Sequence, residues 1–368
     1  MGERLRVRLG EVADVSWGDT NTTKAAYTPS GYPAFSATGQ DGFLPYADYS
    51  GPGVVISAIG AQCGRSWLAR GNWSCIKNTI RIVARDDRLD IEFLHWLLQA
   101  KDIWPKRGSA QPFISQTDAR DVLVELPPVS EQRGIAEVLG ALDDKIEANR
   151  AIAERVERLA TALPASAVAS TTVGLVAGFG RKLVSTAHFA GQDVEHFSLP
   201  AFDANRRPVV ENGDGIKSGK FLLEGPTVLV SKLNPHIPRV WMATPTGTCP
   251  AITSTEFVGL VPTNDYPVEV LWSLCASTEF SSQLTEMVKG TTGSHQRVSA
   301  DDVLRLKVPD PRALRSEVIE IITAAVRLAG MLRNESVRLA TLRDTLLPKL
   351  LTGELRVRMP PELVGRAV

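Results

Sequence analysis

The chain has 368 residues, 41 basic and 41 acidic side chains, and a hydrophobic content of 43%. This length predicts two or three domains rather than one, and the hydrophobic content excludes global disorder. Balanced charge excludes a uniformly basic coat for nucleic acid but allows a local cationic face. The apolar runs are too short or too interrupted to span a bilayer, and the first residues form no secretory signal, so we expect a cytoplasmic protein.

The first predicted elements are a globule and then a long helix. Short β-type runs and Gly or Pro turns fill the chain up to Pro128. Apolar residues then recur at helical spacing from Ile135 to Leu163, and Pro164 ends the pattern. We expect Ser130 to cap this helix.

The same order of elements follows in the second half. Another region of short β-type runs leads to a second apolar pattern at helical spacing, from Leu314 to Leu346, with Pro348 as its expected end. A helix of about 34 residues is roughly 50 Å long, more than a small globule needs. The two stripes either cover each other as an antiparallel coiled pair or pack on their own globules.

An internal repeat supports this order of elements. Residues 54–69 align with residues 228–243, which pairs Trp67 with Trp241. Further on, residues 121–128 align with residues 302–309. A period of this length indicates a duplicated domain and not a solenoid. We predict an α+β fold with two pseudo-symmetric α/β globules separated by two long antiparallel helices. The expected domains are 1–128, 129–164, 165–310 and 311–358.

Catalytic motifs do not emerge from the sequence. The segment 213–220 has the wrong Gly and Lys spacing for a P-loop, and the Asp143-Asp144-Lys145 run suits the solvent face of a helix better than a metal-dependent nuclease. The motif of a methyltransferase that acts on amino groups, Asn or Asp followed by Pro-Pro and an aromatic residue, is missing, and the four cysteines and five histidines show no metal-ligand spacing. We therefore expect neither a catalytic site nor a metal site.

With two globules and two long helices, the chain resembles the specificity subunit of type I restriction-modification systems. The most specific similarities are residues 126–163 and the segment LRDTLLPKLLTGELRV at 342–357, which resemble the helical regions and C-terminal signature of that family. One departure is that Arg312 and Ala313 stand where the first helical region has Glu131 and Gln132.

The resemblance implies a non-catalytic subunit that reads a bipartite sequence in double-stranded DNA, one half-site per globule. Two modification subunits would dock on it, bind S-adenosylmethionine and methylate adenine. Restriction subunits, where present, would add ATP- and Mg-dependent translocation and cleavage. The chain itself would hold no cofactor.

The candidate DNA-binding residues are forked or cationic side chains on loops, since such side chains contact phosphates and base edges. In the first globule they are Gln62, Arg65, Lys77, Asn78, Lys106, Arg107, Ser109 and Gln111. In the second they are Lys232, Asn234, His236, Arg239, Lys289, Thr291, Thr292, Ser294, His295, Gln296 and Arg297. Each of these residues could equally be a solvated charge or serve the fold.

Candidate residues for binding the modification subunit lie at the ends of the helical regions. They are Glu131, Gln132, Arg133, Leu350, Leu351 and Leu355. Ordinary capping and tail packing would explain the same residues. The alternative function is a scaffold that assembles partner proteins through its helices without binding DNA. A cryptic nuclease or methyltransferase is a third interpretation, which the missing motifs disfavour.

Overall fold

The computed structural model describes residues 4–100, 103–287 and 296–357. The chain divides into two compact units, of which unit 1 contains residues 1–148 and 336–368 and unit 2 contains residues 149–335. Each unit combines strands and helices, as the sequence predicts. Within the described part of the chain, no helix has both the length and the apolar character needed to cross a membrane.

Unit 1 begins with a globule of ten strands and three helices among its described residues. Its elements are β1 (Leu5–Arg8), α1 (Leu9–Val12), β2 (Ala13–Trp17), β3 (Tyr32–Ser36), β4 (Gly39–Leu44), β5 (Tyr49–Ser50), β6 (Gly53–Ser57), β7 (Ser66–Ala69), β8 (Asn72–Cys75), β9 (Thr79–Ala84), α2 (Ile91–Ala100), α3 (Gln116–Asp121) and β10 (Leu123–Leu126). The strands form sheets in the orders β1-β10, β2-β9-β6-β7 and β4-β3-β8-β5. All five residues of β6 are buried, as expected for the centre of a core sheet.

The first long helix, α4, runs from Val129 to Ala162, and its last residues belong to unit 2. It begins one residue before the predicted cap, so Ser130 lies inside the helix. The amides of Glu131 and Gln132 both donate to the carbonyl of Pro128, at 2.8 and 3.0 Å. The proline carbonyl therefore opens the helix instead of the serine hydroxyl.

The globule of unit 2 repeats this order of elements with additions. Its elements are β11 (Ser170–Thr172), α5 (Val173–Val176), β12 (Ala177–Phe179), β13 (Lys182–Val184), β14 (Asp193–Phe197), α6 (Leu199–Asn205), β15 (Val209–Asn212), β16 (Lys220–Leu223), β17 (Thr227–Ser231), β18 (Val240–Ala243), β19 (Ala251–Thr253), β20 (Phe257–Pro262), α7 (Val268–Cys275), α8 (Thr278–Glu286), α9 (Ala300–Arg305) and β21 (Lys307–Pro309). The sheets have the orders β11-β21, β12-β20-β17-β18 and β13-β16-β19-β14-β15. The first two correspond to β1-β10 and β2-β9-β6-β7.

Hydrogen bonds correct the second repeat alignment. In unit 1 the amide of Leu9 donates to the carbonyl of Val122, and in unit 2 the amide of Val173 donates to that of Leu306. Val122 is therefore equivalent to Leu306 and not to Val303, which the alignment of 121–128 with 302–309 had paired with it. The alignment predicted from the sequence is therefore off by three residues, because similar residues recur at neighbouring positions in this segment.

The second long helix, α10, runs from Ser316 to Thr352 and passes through Pro348, which the sequence analysis placed at its end. Leu347, Leu350 and Leu351 on both sides of this proline are buried in the unit 1 core. Their burial offsets the hydrogen bond that proline cannot donate. The helix instead ends before Gly353, whose φ of 78° is left-handed.

The two long helices pack together within each unit, in antiparallel directions. In unit 1, Arg343 pairs with Asp143 at 2.5 Å, and Leu350 packs in the cluster that contains Ile135. In unit 2, the amide of Asn149 donates to Glu335 at 2.8 Å. Several stripe residues nevertheless remain exposed in this chain: Ile152, Leu159, Ile321, Leu328 and Leu342. The helices therefore cover each other only in part.

Candidate nucleic-acid interface

Three separate segments of unit 1 meet beyond the end of β6. The amide of Ser57 donates to the carbonyl of Arg65, the amide of Ala58 to that of Asn78, and the amide of Ile114 to that of Ala58, each at 2.9 Å. These backbone bonds join loops that lie far apart in sequence. We name the joined segments, residues 58–65, 76–79 and 106–114, the first loop cluster.

The first loop cluster brings together all the DNA-binding candidates predicted for the first globule. Every one of these side chains is exposed: Gln62, Arg65, Lys77, Asn78, Lys106, Arg107, Ser109 and Gln111. A shallow depression of about 280 Å³ lies among Gln62, Arg65 and Lys106. The cluster thus presents cations and amides to solvent on a backbone fixed by hydrogen bonds.

The two arginines of this cluster differ in their partners. Arg65 donates to the side-chain carbonyl of Gln62 at 3.2 Å, and its guanidinium carbon lies 5.7 Å from the centre of the Trp67 ring. Arg107 pairs with Asp118 at 2.5 Å. Hydrogen bonds from Ser115 and Arg107 hold the pKa of Asp118 below its usual value. Arg65 has no carboxylate partner among the described residues and is the better placed of the two for DNA.

Unit 2 contains the same backbone arrangement beyond the end of β17. The amide of Ser231 donates to the carbonyl of Arg239 at 3.0 Å, and the amide of Val298 donates to that of Lys232 at 3.1 Å. These bonds match those of Ser57 and Ile114. We name residues 232–239, 254–256 and 296–298 the second loop cluster.

A third backbone bond extends this match. The amide of Asn234 donates to the carbonyl of Gln296, and that of Gly60 donates to the carbonyl of Pro112, each at 2.9 Å. Ser115 and Ser299 then cap α3 and α9, each accepting from the aspartate amide three residues on. Sequence comparison missed this correspondence, although the S-x-x-D spacing in both halves was a usable signal.

Some candidates in the second globule lie outside the described residues. These are Lys289, Thr291, Thr292, Ser294 and His295. The second loop cluster brings together the remaining six: Lys232, Asn234, His236, Arg239, Gln296 and Arg297. His236 and Arg297 are exposed, whereas Arg239 retains only 11% of its side-chain exposure.

Two arginines of the second loop cluster carry carboxylate partners. Arg239 donates two hydrogen bonds to Asp203, at 2.7 and 2.9 Å. Arg297 is 3.1 Å from Glu256, and its side chain is 60% exposed. Arg239 therefore serves the fold, while Arg297 still faces solvent with part of its guanidinium.

Asparagine occupies a left-handed backbone position in each loop cluster. Asn78 has a φ of 71° and Asn234 a φ of 49°. Asparagine adopts this conformation at lower cost than most residues with a Cβ atom. The choice of asparagine at these two positions thus has a conformational reason apart from any DNA contact.

The six partner-binding candidates all lie in unit 1 and divide by burial. Gln132 is 1% exposed; its side chain accepts from the Asp90 amide at 2.9 Å and donates to the carbonyls of Arg88 and Pro127, each at 2.8 Å. Leu350 and Leu351 are each 4% exposed. The remaining three reach solvent to different degrees: Glu131, Arg133 and Leu355. Only these three present side chains that a partner could touch.

Comparisons with known proteins show which chains are similar to this one. Residues 5–158 match the family model described as type I restriction modification DNA specificity domain. The chain is 22% identical over 410 residues to the type I restriction enzyme EcoDI specificity subunit of Escherichia coli, covering 97% of this chain and 89% of the relative. It also shares its fold with the type I restriction-modification S subunit from M. genitalium, with a TM-score of 0.66, 18% identity and coverage of 95% and 96% of the two chains.

These similarities define a DNA specificity protein, a class in which recognition of sequence is separated from catalysis. Residues 5–158 match the DNA specificity domain of type I restriction-modification systems, and the comparisons support a sequence-specific DNA-recognition subunit of such a system. Specificity subunits of this kind are non-catalytic.

Proposed function

We propose that the two loop clusters are the DNA-contact surfaces and that each of them contacts one half-site of a bipartite target. The supporting observation is the repeated backbone framework: the bonds of Ser57 to Arg65 and of Ser231 to Arg239 recur with the same geometry in both units. A duplicated framework that carries different exposed side chains is suited to read two different half-sites.

The side chains proposed to touch DNA are those that remain accessible. In the first loop cluster these are Gln62, Arg65, Lys77, Asn78, Lys106, Arg107, Ser109 and Gln111. In the second they are Lys232, Asn234, His236, Gln296 and Arg297, and the neighbouring Lys289, Thr291, Thr292, Ser294 and His295 belong to the same proposal from sequence. Arg239 is left out because Asp203 occupies its guanidinium.

The proposed domains are target recognition domains at 1–128 and 165–310, with helical regions at 129–164 and 311–358. We propose that two modification subunits dock on the helical regions, bring S-adenosylmethionine and methylate adenine. Exposed apolar residues on the helices, such as Leu328 and Leu342, support such docking because an isolated chain gains nothing by exposing them. Restriction subunits that use ATP and Mg would complete the system.

Methylation mapping tests the proposal. The chain is co-expressed with its cognate modification subunit in a host without DNA methylation, and modified adenines are mapped by long-read sequencing. We expect a bipartite motif with a fixed gap only when the chain is present. The same pattern without the chain would contradict DNA recognition and favour the scaffold alternative.

Variants then assign the half-sites. Arg65→Ala, in the first loop cluster, should relax or weaken one half of the motif, and Arg297→Ala, in the second, should affect the other half. Each good base contact contributes about 1–3 kcal/mol of discrimination, so a single lost contact should be visible in the motif. Arg305→Ala is the matched control, because this 75% exposed arginine lies outside both clusters. Loss at both halves from either cluster variant would overturn the assignment of one cluster to one half-site.

A further inference from the structure

Arg181 of unit 2 is held between two aromatic rings. Its guanidinium carbon lies 4.6 Å from the centre of the Phe179 ring and 4.3 Å from the centre of the Phe221 ring. A guanidinium that stacks on ring faces keeps its N–H donors free at the edge of its plane. This partial burial lowers the pKa of Arg181, yet an arginine stays charged under all ordinary conditions.

The charge of Arg181 is not neutralised locally. Within the described residues, no carboxylate lies within 4.0 Å of its guanidinium and no acceptor receives a hydrogen bond from it. Asp301 raises the pKa of Arg181 through longer-range attraction, against the larger lowering by burial. In this respect Arg181 differs from Arg239 and Arg297, which are already paired with Asp203 and Glu256.

Strand pairing puts Arg181 at the same end of the sheet as the second loop cluster. Phe179 pairs with Leu260, and the amide of Gly180 then donates to the carbonyl of Gly259 at 3.0 Å. Along β20 this direction leads to Phe257, which pairs with Ser231 at the end of β17. The second loop cluster begins directly after Ser231, so Arg181 borders it.

The first half of the chain has no such arginine. There Val15 pairs with Ile82 as Phe179 pairs with Leu260, which makes Val15 the equivalent of Phe179 and Ser16 the equivalent of Gly180. Trp17 therefore stands where Arg181 stands in unit 2, and it packs partly buried against the core of unit 1. Any role of Arg181 toward a ligand belongs to the second half alone.

We propose that Arg181 contacts a backbone phosphate of the half-site bound by the second loop cluster, with Phe179 and Phe221 as positioning residues. This inference rests on the proposed function. A planar guanidinium with free donors matches the geometry of a phosphate, to which it can donate two parallel hydrogen bonds. Because the side chain lies along the ring faces, it has little length left to reach a base edge in a groove.

Salt-dependent DNA binding of the complex tests this role. The full chain with its modification subunits is titrated against duplexes with and without the mapped motif, between 50 and 200 mM salt. Arg181→Met keeps an unbranched apolar side chain over the rings but removes the charge, whereas Arg181→Lys keeps the charge. Arg305→Ala is the control, since it removes an exposed guanidinium from the same unit.

We expect Arg181→Met to weaken binding about tenfold on both duplexes and to lower the slope of log K against log salt by about one. Arg181→Lys should restore the slope, because a lysine also neutralises a phosphate. Phe221→Leu, which removes one ring face and keeps the cation, should give a smaller loss. Arg305→Ala should match the wild type.

Three results would overturn the inference or what it rests on. If Arg181→Met binds with wild-type affinity and slope while its melting temperature is unchanged, Arg181 contacts no phosphate. If the loss is confined to one base pair of the motif, Arg181 reads a base and the phosphate assignment is wrong. If the wild-type complex binds no duplex in a salt-dependent manner, both the proposed function and this inference are wrong.

Discussion

Arg239 and Asp203 are joined by two parallel hydrogen bonds, 2.7 and 2.9 Å long, from a guanidinium that is 11% exposed. Its repeat partner Arg65 has no such carboxylate and instead bonds Gln62. The same arginine position therefore serves the fold in one half of the chain and faces solvent in the other. The duplication has kept an arginine at this position but not its structural role.

We expect Arg239 and Asp203 to stabilise the folded chain together, whether or not DNA is present. In a double-mutant cycle of Arg239→Ala and Asp203→Ala, we expect a coupling of about 1 kcal/mol in the free energy of unfolding, since bidentate pairs exceed ordinary surface pairs. Chemical denaturation measures it. Arg65→Ala, as the matched variant, should leave stability within about 0.5 kcal/mol of wild type. A coupling near zero would show that Arg239 is available to other partners.

Gln132 should matter for stability rather than for partner binding. Gln132→Ala removes three hydrogen bonds from a buried site and leaves the Asp90 amide and two carbonyls unsatisfied, which should cost about 2–4 kcal/mol. Denaturant unfolding checks this value. Glu131→Ala, one residue earlier, should change stability by less than about 0.5 kcal/mol. If Gln132→Ala folds with wild-type stability but loses its partner, our interpretation of Gln132 is wrong.

The two leucines near the end of α10 provide a similar contrast. Leu350 is 4% exposed and Leu355 is 40% exposed. Leu350→Ala should destabilise unit 1 by about 2–5 kcal/mol, because it leaves a cavity among packed side chains. Leu355→Ala should leave the melting temperature unchanged and weaken assembly with the modification subunit, measured by sedimentation or light scattering. Unchanged assembly would remove Leu355 from the proposed partner surface.

His95 in α2 predicts a pH dependence of stability. Burial lowers the pKa of His95 to about 4 from an ordinary value of 6.5. The folded state therefore holds the ring neutral, and the unfolded chain binds the proton more readily. Stability from this group is fully present above pH 6.5 and is lost as the pH falls from 6.5 to 4, by about 3 kcal/mol in total.

The measurement is the melting temperature of wild type and of His95→Phe between pH 7.5 and 4.5. The wild type should lose more stability on acidification than the variant, in which nothing titrates at position 95. Parallel curves for the two proteins would show that His95 is protonated without cost and that its environment is more polar than its burial indicates.

The larger elements could be predicted from the sequence because the residue patterns that specify them are local. The apolar spacing from Ile135 onward is sufficient to specify a long helix, and the order of globules and helices follows from the repeat. The position of Pro348 inside the helix, and not at its end, could not be predicted in this way. Its tolerance depends on the burial of Leu347 and Leu350 by residues far away in sequence.

The sequence predicted the types of residue in the candidate site, but not which of their side chains are already bound to partners within the protein. Loop cations such as Lys77 and Arg107 are exposed in the structure, because turns and loops lie outside a core. The partners of Arg239 and Gln132 come from segments distant in sequence, so no local pattern reveals them. Arg181 was missed for the same reason, since Phe221 reaches it only through the sheet.

The bonds that the two loop clusters share join main-chain atoms, as those of Ser57 to Arg65 and Ser231 to Arg239 show. Such bonds are insensitive to the identity of the side chains that the loops carry. Point mutations at exposed positions can therefore accumulate without unfolding the loops that present them. On the proposed function, the recognised DNA sequence could therefore change through a few substitutions in one loop cluster, while the main-chain framework of both clusters stays as it is.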